Sequence, residues 1–273
     1  QIYSLLSAMG RAHIAPKMLA VHEGSGRQFL CLELVRPITS WPWRDHRYAR
    51  RVVELLARLH VDFPVQPGCP TVAWDYEEYL GRMAAMTLEA LERLPRGVPE
   101  FEPLRDRLPA LRRVTQALPA MRRQLLDWPG FGRALIHGDV HPGNVMISRG
   151  KEPHVVKLFD WARARVGSPL EDVSSWLQTL AFYEPEARRR HDTLLSAYLL
   201  ARCGSPAITP DVRVGYWLAG ASNAVAGALW YHLQRLSEGN APTPEAIRTA
   251  KDWLRIGRRA DEYWRAGASG GRA

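Results

Sequence analysis

The sequence predicts an α+β fold in which a few short strands accompany a large, mostly helical region. Helical spacing of apolar residues is the first observation, and one clear stripe is formed by Val52, Val53, Leu55, Leu56 and Leu59. Short strand-like runs are the second, and they occur in only two places, before residue 36 and between residues 134 and 159. Strands gathered apart from the helices are typical of α+β proteins.

The first 35 residues predict the end of a helix followed by a β-hairpin. Residues 2–9 are interpreted as the last turns of a helix that Gly10 closes. Strands are predicted at 18–22 and 28–35, joined by the turn Glu-Gly-Ser-Gly at 23–26. Two strands do not form a stable sheet by themselves.

Long helices dominate the remainder of the chain. The predicted helical segments are 45–60, 74–94, 101–128 and 170–265, the last with breaks near 185, 205–210 and 240–244. Pro109 and Pro119 are expected to punctuate the third segment. Residues 218–233 are rich in Gly, Ala and Ser and predict a closely packed internal helix. Between these helices, short strands are predicted at 134–136, 145–147 and 154–159.

The composition is that of a globular protein with a basic surface. The chain has 273 residues, 46% of them apolar, which is enough to bury a core. Its net charge is +9, and only four of the 37 basic residues are lysines. The arginines are dispersed along predicted helices, which favours solvated helix faces over a nucleic-acid groove. Cys31, Cys69 and Cys203 have no metal-ligand spacing, and we interpret them as buried thiols.

Residues 1–9 lack the charged-then-apolar layout of a signal peptide, and no apolar run reaches the roughly 18 residues that a membrane helix needs. We therefore expect a cytoplasmic protein with neither a membrane nor a nucleic-acid partner.

The chemistry is concentrated in the segment His-Gly-Asp-Val-His-Pro-Gly-Asn, residues 137–144. It places the carboxylate of Asp139 five positions before the carboxamide of Asn144, and a strand fifteen residues later delivers Asp160. Phosphoryl transfer needs a carboxylate to orient the attacking hydroxyl, together with an amide oxygen and a second carboxylate to hold Mg²⁺ on the phosphates. The spacing Asp-x-x-x-x-Asn followed by a strand-end Asp is that of protein kinases.

At these residues the sequence resembles the aminoglycoside phosphotransferase family, relatives of choline kinase and homoserine kinase. The family pattern H-G-D-x-H-x-x-N, then D-W, then G-x-P-x-x-D is present at 137–144, 160–161 and 167–172. The resemblance implies a two-lobed, protein-kinase-like fold and transfer of the γ-phosphate of ATP to a hydroxyl of a small molecule. Carried over by position, Asp139 is the expected catalytic base, and Asn144 and Asp160 are the expected Mg²⁺ ligands.

Three further motif residues are expected to support the site. His137 and His141 are interpreted as braces for the loop backbone, because a histidine in such a loop commonly bonds the main chain and leaves the chemistry to its neighbours. Asp172 stands near the start of a predicted helix, where a carboxylate can cap free backbone N–H groups.

The resemblance also implies a nucleotide site. Adenine recognition in kinase-like folds comes from the backbone that links the two lobes, which corresponds here to Glu33, Leu34 and Val35. Met146 and Phe159 flank the motif and are expected to contact the base, although both are equally compatible with a plain core role.

Several parts of a kinase-like small lobe are not identifiable in the sequence, namely the glycine-rich loop, the strand lysine and the helix glutamate. We expect that the sequence begins inside the small lobe. Residues 1–36 then form the remnant of that lobe and the hinge, 37–266 the helical C-terminal lobe, and 267–273 a disordered tail. A chain truncated in this way is expected to be inactive by itself.

The expected function is an ATP- and Mg²⁺-dependent small-molecule kinase. The alternative is a non-catalytic nucleotide-binding pseudokinase or an inactive fragment. The presence of all three polar positions, Asp139, Asn144 and Asp160, argues against the pseudokinase, since a binding module does not need the base. The acceptor pocket is expected from the helices at 74–94 and 173–265. Acidic residues there, such as Glu184 and Asp261, adjoin arginines in the sequence and are interpreted as paired surface charge.

Overall fold

A computed structural model of the protein describes residues 2–8, 10, 13–24, 27–38, 40–62, 75–149, 155–238 and 243–270. The chain divides into two compact units. The first comprises residues 1–72, 134–167 and 175–208, and the second comprises 73–133, 168–174 and 209–273. The sequence predicted a boundary between two kinase-like lobes near residue 36. The division into these two units does not test that boundary, which stays a prediction.

The first unit begins with helix α1, Ile2–Ala8, and the hairpin of β1, Met18–Gly24, with β2, Arg27–Leu32. The strands are antiparallel, with Val21 opposite Leu30. Gly10 has a φ of 69°, as expected for a residue that ends a helix. Both predicted strands are present, but β1 runs two residues further than predicted, and β2 begins one residue and ends three residues early. Residues 25 and 26 of the predicted turn lie outside the described residues.

Both faces of this hairpin leave apolar side chains in contact with solvent. The large exposed ones are Leu19, Val21, Phe29 and Leu30. Cys31 is exposed as well, and so is Cys203 at the end of a helix in the same unit. The interpretation of these two cysteines as buried thiols was therefore wrong, because an uncovered hairpin and a helix terminus bury little. Cys69 lies outside the described residues.

Two short antiparallel two-stranded sheets in the first unit frame the motif. Strand β3, Ala134–Ile136, pairs with β6, Arg165–Gly167, and β4, Val145–Ile147, pairs with β5, Val156–Leu158. The sequence predicted three of these strands and missed β6. The loops β3–β4 and β5–β6 carry residues 137–144 and 159–164, so the pairing brings both ends of the motif into one region.

Helices complete the first unit. Helix α2, His46–Asp62, packs against α7, His191–Cys203, and α6, Pro169–Tyr183, gives its residues from 175 onward to this unit. The buried His60 Nδ1 lies 2.9 Å from the Tyr198 hydroxyl oxygen, so the α2–α7 contact contains a satisfied polar pair. The predicted helix at 45–60 is thus confirmed to within two residues.

The second unit is helical. Its elements are α3, Tyr76–Glu92; α4, Glu102–Arg105; α5, Leu108–Leu126; α8, Pro210–Asn223; α9, Leu229–Ser237; and α10, Pro244–Gly270. Asp75 caps α3 by accepting from the Glu78 backbone, and Thr209 caps α8 by accepting from the Val212 backbone. Trp74, where the sequence predicted α3 to begin, lies outside the described residues.

Three details of this unit differ from the sequence prediction. Pro119 lies inside the continuous helix α5 and does not end it. Residues 218–233 are not one regular helix, because a π-helical segment, Ala224–Ala228, separates α8 from α9. Gly227 makes that kink with a φ of 138°, which only glycine adopts readily. Finally, α10 runs to Gly270, so the predicted disordered tail begins as the end of a helix, and residues 271–273 lie outside the described residues.

No helix in the described ranges is long and apolar enough to cross a membrane.

Candidate active site

Asp139 lies in the β3–β4 loop, and about a third of its side chain, 31%, is exposed. The preceding residue, Gly138, has a φ of 80°, and a Cβ atom at this position would collide with the Arg163 carbonyl oxygen. Glycine at 138 therefore lets the loop pass close to the segment after β5. This close approach determines the position of the Asp139 backbone, from which the carboxylate extends.

His137 connects the loop to the segment that carries Asp160. Its Nε2 atom lies 2.7 Å from the Phe159 carbonyl oxygen, and its Nδ1 atom lies 3.3 Å from the Asp139 backbone nitrogen. Because a backbone N–H can only donate, Nδ1 accepts, and the neutral ring then donates its Nε2 proton to Phe159. The ring is fully buried. These contacts are of the kind predicted for a bracing histidine.

Asn144 makes three hydrogen bonds that leave its amide oxygen available, and in one of them its backbone N–H donates to the His141 carbonyl oxygen over 2.9 Å. Its Nδ2 donates to the Asp139 carbonyl oxygen over 3.0 Å, and its own carbonyl oxygen accepts from the Phe159 N–H over 2.9 Å. His141 shapes the turn before it, because its Nδ1 accepts from the Gly143 N–H over 3.0 Å. The side-chain oxygen of Asn144 is therefore the atom left to bind a cation.

Asp160 follows β5 and has an unusual backbone conformation. Its φ is 54°, and it is the one non-glycine residue with positive φ in the part of the chain that the structure describes. Its Oδ1 accepts from the Ala162 N–H over 3.4 Å, and its side chain is exposed. Burial raises the pKa of Tyr3, and the negative charge of Asp160 raises it further, so Tyr3 of α1 lies within electrostatic reach of this carboxylate.

The structure thus joins all three predicted catalytic and metal residues through direct bonds or through Phe159, the neighbour of Asp160. Mg²⁺ prefers oxygen ligands and commonly uses one or two protein side chains together with phosphates and water. One amide oxygen and one carboxylate, from Asn144 and Asp160, fit that chemistry. No group of three His, Cys, Asp or Glu side chains suited to a metal occurs among the residues described, and this kind of Mg²⁺ site does not need one.

Two arginines that the sequence analysis did not single out belong to the same region. Arg163 Nε lies 3.7 Å from Asp139 Oδ2. Arg165 is buried and directs its Nη1 atom to the carbonyl oxygens of Gly138 and Arg163, at 3.4 and 3.2 Å. Arg163 supplies positive charge beside the predicted base, and Arg165 supports the backbone of both loops. No local sequence pattern predicts these roles of Arg163 and Arg165, since arginine is common throughout this chain.

The acidic pair at the start of α6 has divided roles. The Glu171 carboxylate accepts from the Ser168 N–H over 3.0 Å and so caps the helix, the role predicted for Asp172. Glu171 also forms a buried ion pair with Arg122, whose Nη1 lies 2.9 Å from Glu171 Oε1. Asp172 is fully buried. Its supporting role stays a prediction.

The predicted adenine-binding segment follows β2 as an irregular stretch. Leu34 is 84% exposed, whereas Val35 is buried. The Glu33 N–H donates to the Lys17 carbonyl oxygen over 2.8 Å. The Glu33 N–H is thus already bonded within the protein, and the contact of residues 33–35 with adenine stays a prediction.

Lys157 of β5 connects this segment to the motif, and the sequence analysis missed it. Its ammonium pairs with the Glu33 carboxylate and lies 3.4 Å from the Ala15 carbonyl oxygen. Met146 is opposite Lys157 in the β4–β5 pair, so both side chains leave the hairpin on the same face. Met146 and Phe159 are each half-buried, which leaves part of both side chains free to contact a base.

The acidic residues considered for an acceptor pocket are largely paired with arginine. The Asp261 carboxylate accepts hydrogen bonds from two side-chain nitrogens of Arg113, the nearer at 2.7 Å. Glu262 pairs with Arg258 and Arg259. The aromatic rings of Trp217 and Tyr263 stack on each other with centroids 6.5 Å apart. The acceptor chemistry therefore does not follow from these side chains.

The arrangement of a hairpin, an Asp–Asn loop and a strand-end Asp among many helices is that of kinase-like phosphotransferases. The solved ethanolamine kinase of Plasmodium vivax has this fold, with a TM-score of 0.58, 12% sequence identity, and coverage of 95% of this chain and 72% of that chain. Spectinomycin phosphotransferase APH(9)-Ia, solved in complex with ADP and spectinomycin, gives a TM-score of 0.56 at 12% identity over 96% of this chain and 81% of that chain.

Residues 1–212 match the model of the phosphotransferase enzyme family, APH, and the chain belongs to that family. The fold class and the family expected from the motif are thereby confirmed. Among curated proteins, the uncharacterized protein YcbJ of Bacillus subtilis strain 168 is 42% identical over 62 residues. That match spans 23% of this chain and 19% of YcbJ.

Proposed function

We propose that this chain carries the catalytic residues of an ATP-dependent phosphotransferase that moves the γ-phosphate to a hydroxyl of a small molecule. The observation that supports it most is that Asn144 is hydrogen-bonded both to Asp139 and to Phe159. The Asn144 side chain donates to Asp139 at 3.0 Å, and its backbone accepts from Phe159 at 2.9 Å. In this proposal, the loop of the base is therefore bonded directly to one cation ligand, and through Phe159 to the segment of the other, before any substrate binds.

In this proposal Asp139 accepts a hydrogen bond from the acceptor hydroxyl and orients its oxygen toward the γ-phosphorus. Asp139 receives the proton as the new P–O bond forms, while the bond from the γ-phosphorus to the bridging oxygen breaks and ADP leaves. Arg163, 3.7 Å from Asp139, offsets part of the negative charge that the base and the phosphates place together. Asn144 and Asp160 would hold Mg²⁺, which supplies charge neutralisation on the phosphates when bound. His137 holds the Asp139 loop against the segment that carries Asp160, through its hydrogen bonds to the Asp139 N–H and the Phe159 carbonyl oxygen.

The nucleotide is proposed to bind against residues 33–35, with Met146 and Phe159 beside the base. Support comes from the solved relative in complex with ADP, which shares the fold. ATP as the donor favours the cytoplasm as the location. The names of the solved relatives suggest amino alcohols and aminoglycosides as the first acceptors to examine.

The test uses the natural protein that contains residues 1–273, incubated with Mg-ATP and a panel of ethanolamine, choline and spectinomycin. ADP release and the mass of the phosphorylated acceptor are measured. With an active acceptor, Asp139→Asn is expected to lower kcat by a factor of about 10² to 10⁴ while ADP affinity is retained. Asp192→Asn, an exposed carboxylate change in the same unit, is the matched control.

An Asp139→Asn variant as fast as the wild type would contradict the assignment. ADP binding without transfer to any hydroxyl acceptor would favour the non-catalytic alternative.

A further inference from the structure

A cavity in the second unit is lined by long charged side chains. Its volume is about 390 Å³, and we call it the α10 cavity. It is bounded by Pro103 of α4, by Arg107 between α4 and α5, and by Lys251, Asp252, Arg255 and Arg258 of α10. Four cations and one carboxylate thus line the cavity, with Arg107 coming from the α4–α5 link and the other charged residues from α10. None of these residues belongs to the proposed active site.

Two of the four cations have acidic partners in the described part of the chain. Arg255 Nε is 3.8 Å from Asp252 Oδ1, and Arg258 pairs with Glu262, which Arg259 shares. In the described part of the second unit, neither Arg107 nor Lys251 has a side-chain ion pair. The α10 cavity therefore keeps an excess of positive charge.

The same helices neutralise their arginines elsewhere. On α5, Arg112 pairs with Glu92 at 2.7 Å, and Arg113 pairs with Asp261 of α10 at 2.7 Å. Lys251 and Arg255, by contrast, are two like charges four residues apart on α10, a spacing at which they repel. A solvated helix face would not bring Arg107 from another segment to the same place. The excess is thus concentrated at one cavity and not spread along the helices.

We propose that the α10 cavity binds a small phosphorylated anion carrying at least two negative charges. The planar guanidinium groups of Arg107, Arg255 and Arg258 suit two-point bonding to phosphate oxygens, and the Lys251 ammonium adds a point charge. The N-terminus of α5 begins directly after Arg107 without a side-chain cap, so its dipole adds to the positive potential. A volume of about 390 Å³ exceeds that of one phosphate, which leaves room for the organic part of a phosphate ester.

The test is isothermal titration calorimetry of the 273-residue protein with pyrophosphate, in EDTA so that no Mg²⁺ can hold phosphate at the motif. One site is expected, with an affinity that weakens as salt is raised from 50 to about 300 mM because screening reduces charge attraction. The double variant Arg107→Glu with Lys251→Glu is expected to bind at least tenfold more weakly. Both residues are exposed, so folding is expected to be retained, and a circular-dichroism melt checks this.

The matched control is Arg82→Glu with Arg123→Glu, which changes the net charge equally at exposed positions of α3 and α5 outside the cavity. It is expected to stay within twofold of the wild type. Equal losses in both double variants, or no pyrophosphate binding at 50 mM salt, would overturn the proposal. Tighter binding of an oligonucleotide, with affinity rising with its length, would also overturn it in favour of a nucleic-acid surface.

Discussion

The Lys157 ammonium is bound to the Glu33 carboxylate, so one ion pair joins the strand that leads to Asp160 with the segment predicted to contact adenine. The two side chains are only 14% and 32% exposed, respectively. A pair shielded in this way resists screening by salt better than a surface pair does. It therefore provides a rigid connection between two parts of the proposed nucleotide site.

Lys157→Met is expected to weaken ADP binding by the natural protein about tenfold, because it leaves the Glu33 carboxylate without its cation and frees residues 33–35. Calorimetry measures the loss. The exchanged pair, Lys157→Glu with Glu33→Lys, is expected to regain most of the affinity. Arg93→Met, which breaks an exposed pair with Glu89, serves as the control. Unchanged ADP affinity in Lys157→Met would disprove the connection.

His137→Ala is expected to lower the free energy of unfolding by about 2–5 kcal/mol, because the Asp139 N–H and the Phe159 carbonyl would both lose their partner in a buried place. His141→Ala is expected to cost less than about 1.5 kcal/mol, since that ring accepts only from Gly143 and is partly exposed. Urea unfolding of the two variants compares these values. Equal losses would mean that His137 is not the brace described above.

Arg122→Ala is expected to destabilise the second unit by about 3–5 kcal/mol, because Glu171 would remain charged and buried. Burial lowers the pKa of Arg122, but the charges of Glu171 and Glu77 raise it more, so the guanidinium stays protonated. Arg112→Ala removes an exposed pair with Glu92 and is expected to cost less than about 1 kcal/mol. Thermal melts distinguish the two variants, and similar melting temperatures would contradict the prediction.

His232 is expected to make the stability of the protein depend on pH. Burial lowers its pKa, and Arg235 lowers it further, against a smaller opposing effect of Glu245. The unfolded chain therefore takes up the proton first, near pH 6.5, and stability falls as the pH drops from there through the lower folded-state pKa. Urea unfolding at pH 7.5 and 5.5 measures the change in the free energy of unfolding with pH, and His232→Gln is expected to reduce that change. His46→Gln, at an exposed position, is the control. A His232→Gln variant that loses as much stability as the wild type between the two pH values would refute this.

Local patterns in the sequence were sufficient for the fold class and for the motif. The Asp139, Asn144 and Asp160 spacing is a property of adjacent loops, and helical periodicity found α2 because its buried residues lie on one side of the helix. Strand β6 was missed because three residues, Arg165–Gly167, carry no alternation that could be detected. Pro119 was overvalued as a break because packing of a long helix can tolerate one proline.

Contacts between distant residues were beyond the reach of the sequence. Lys157 and Glu33 are 124 positions apart, and neither residue type is unusual for an exposed strand or loop. Arg163 is one of many arginines, and only the folded loops bring it to Asp139. The roles of the predicted site residues stay predictions, since they concern substrates.

The left-handed backbone of Asp160 has a consequence for anyone engineering this protein. Such a conformation disfavours an ordinary L-residue by roughly 1 kcal/mol or more, whereas glycine adopts it freely. A library sorted for heat resistance alone would therefore enrich glycine at position 160. The selected glycine variants would have a higher melting temperature but would lack the carboxylate. A selection for thermostability therefore needs a parallel measurement of phosphate transfer.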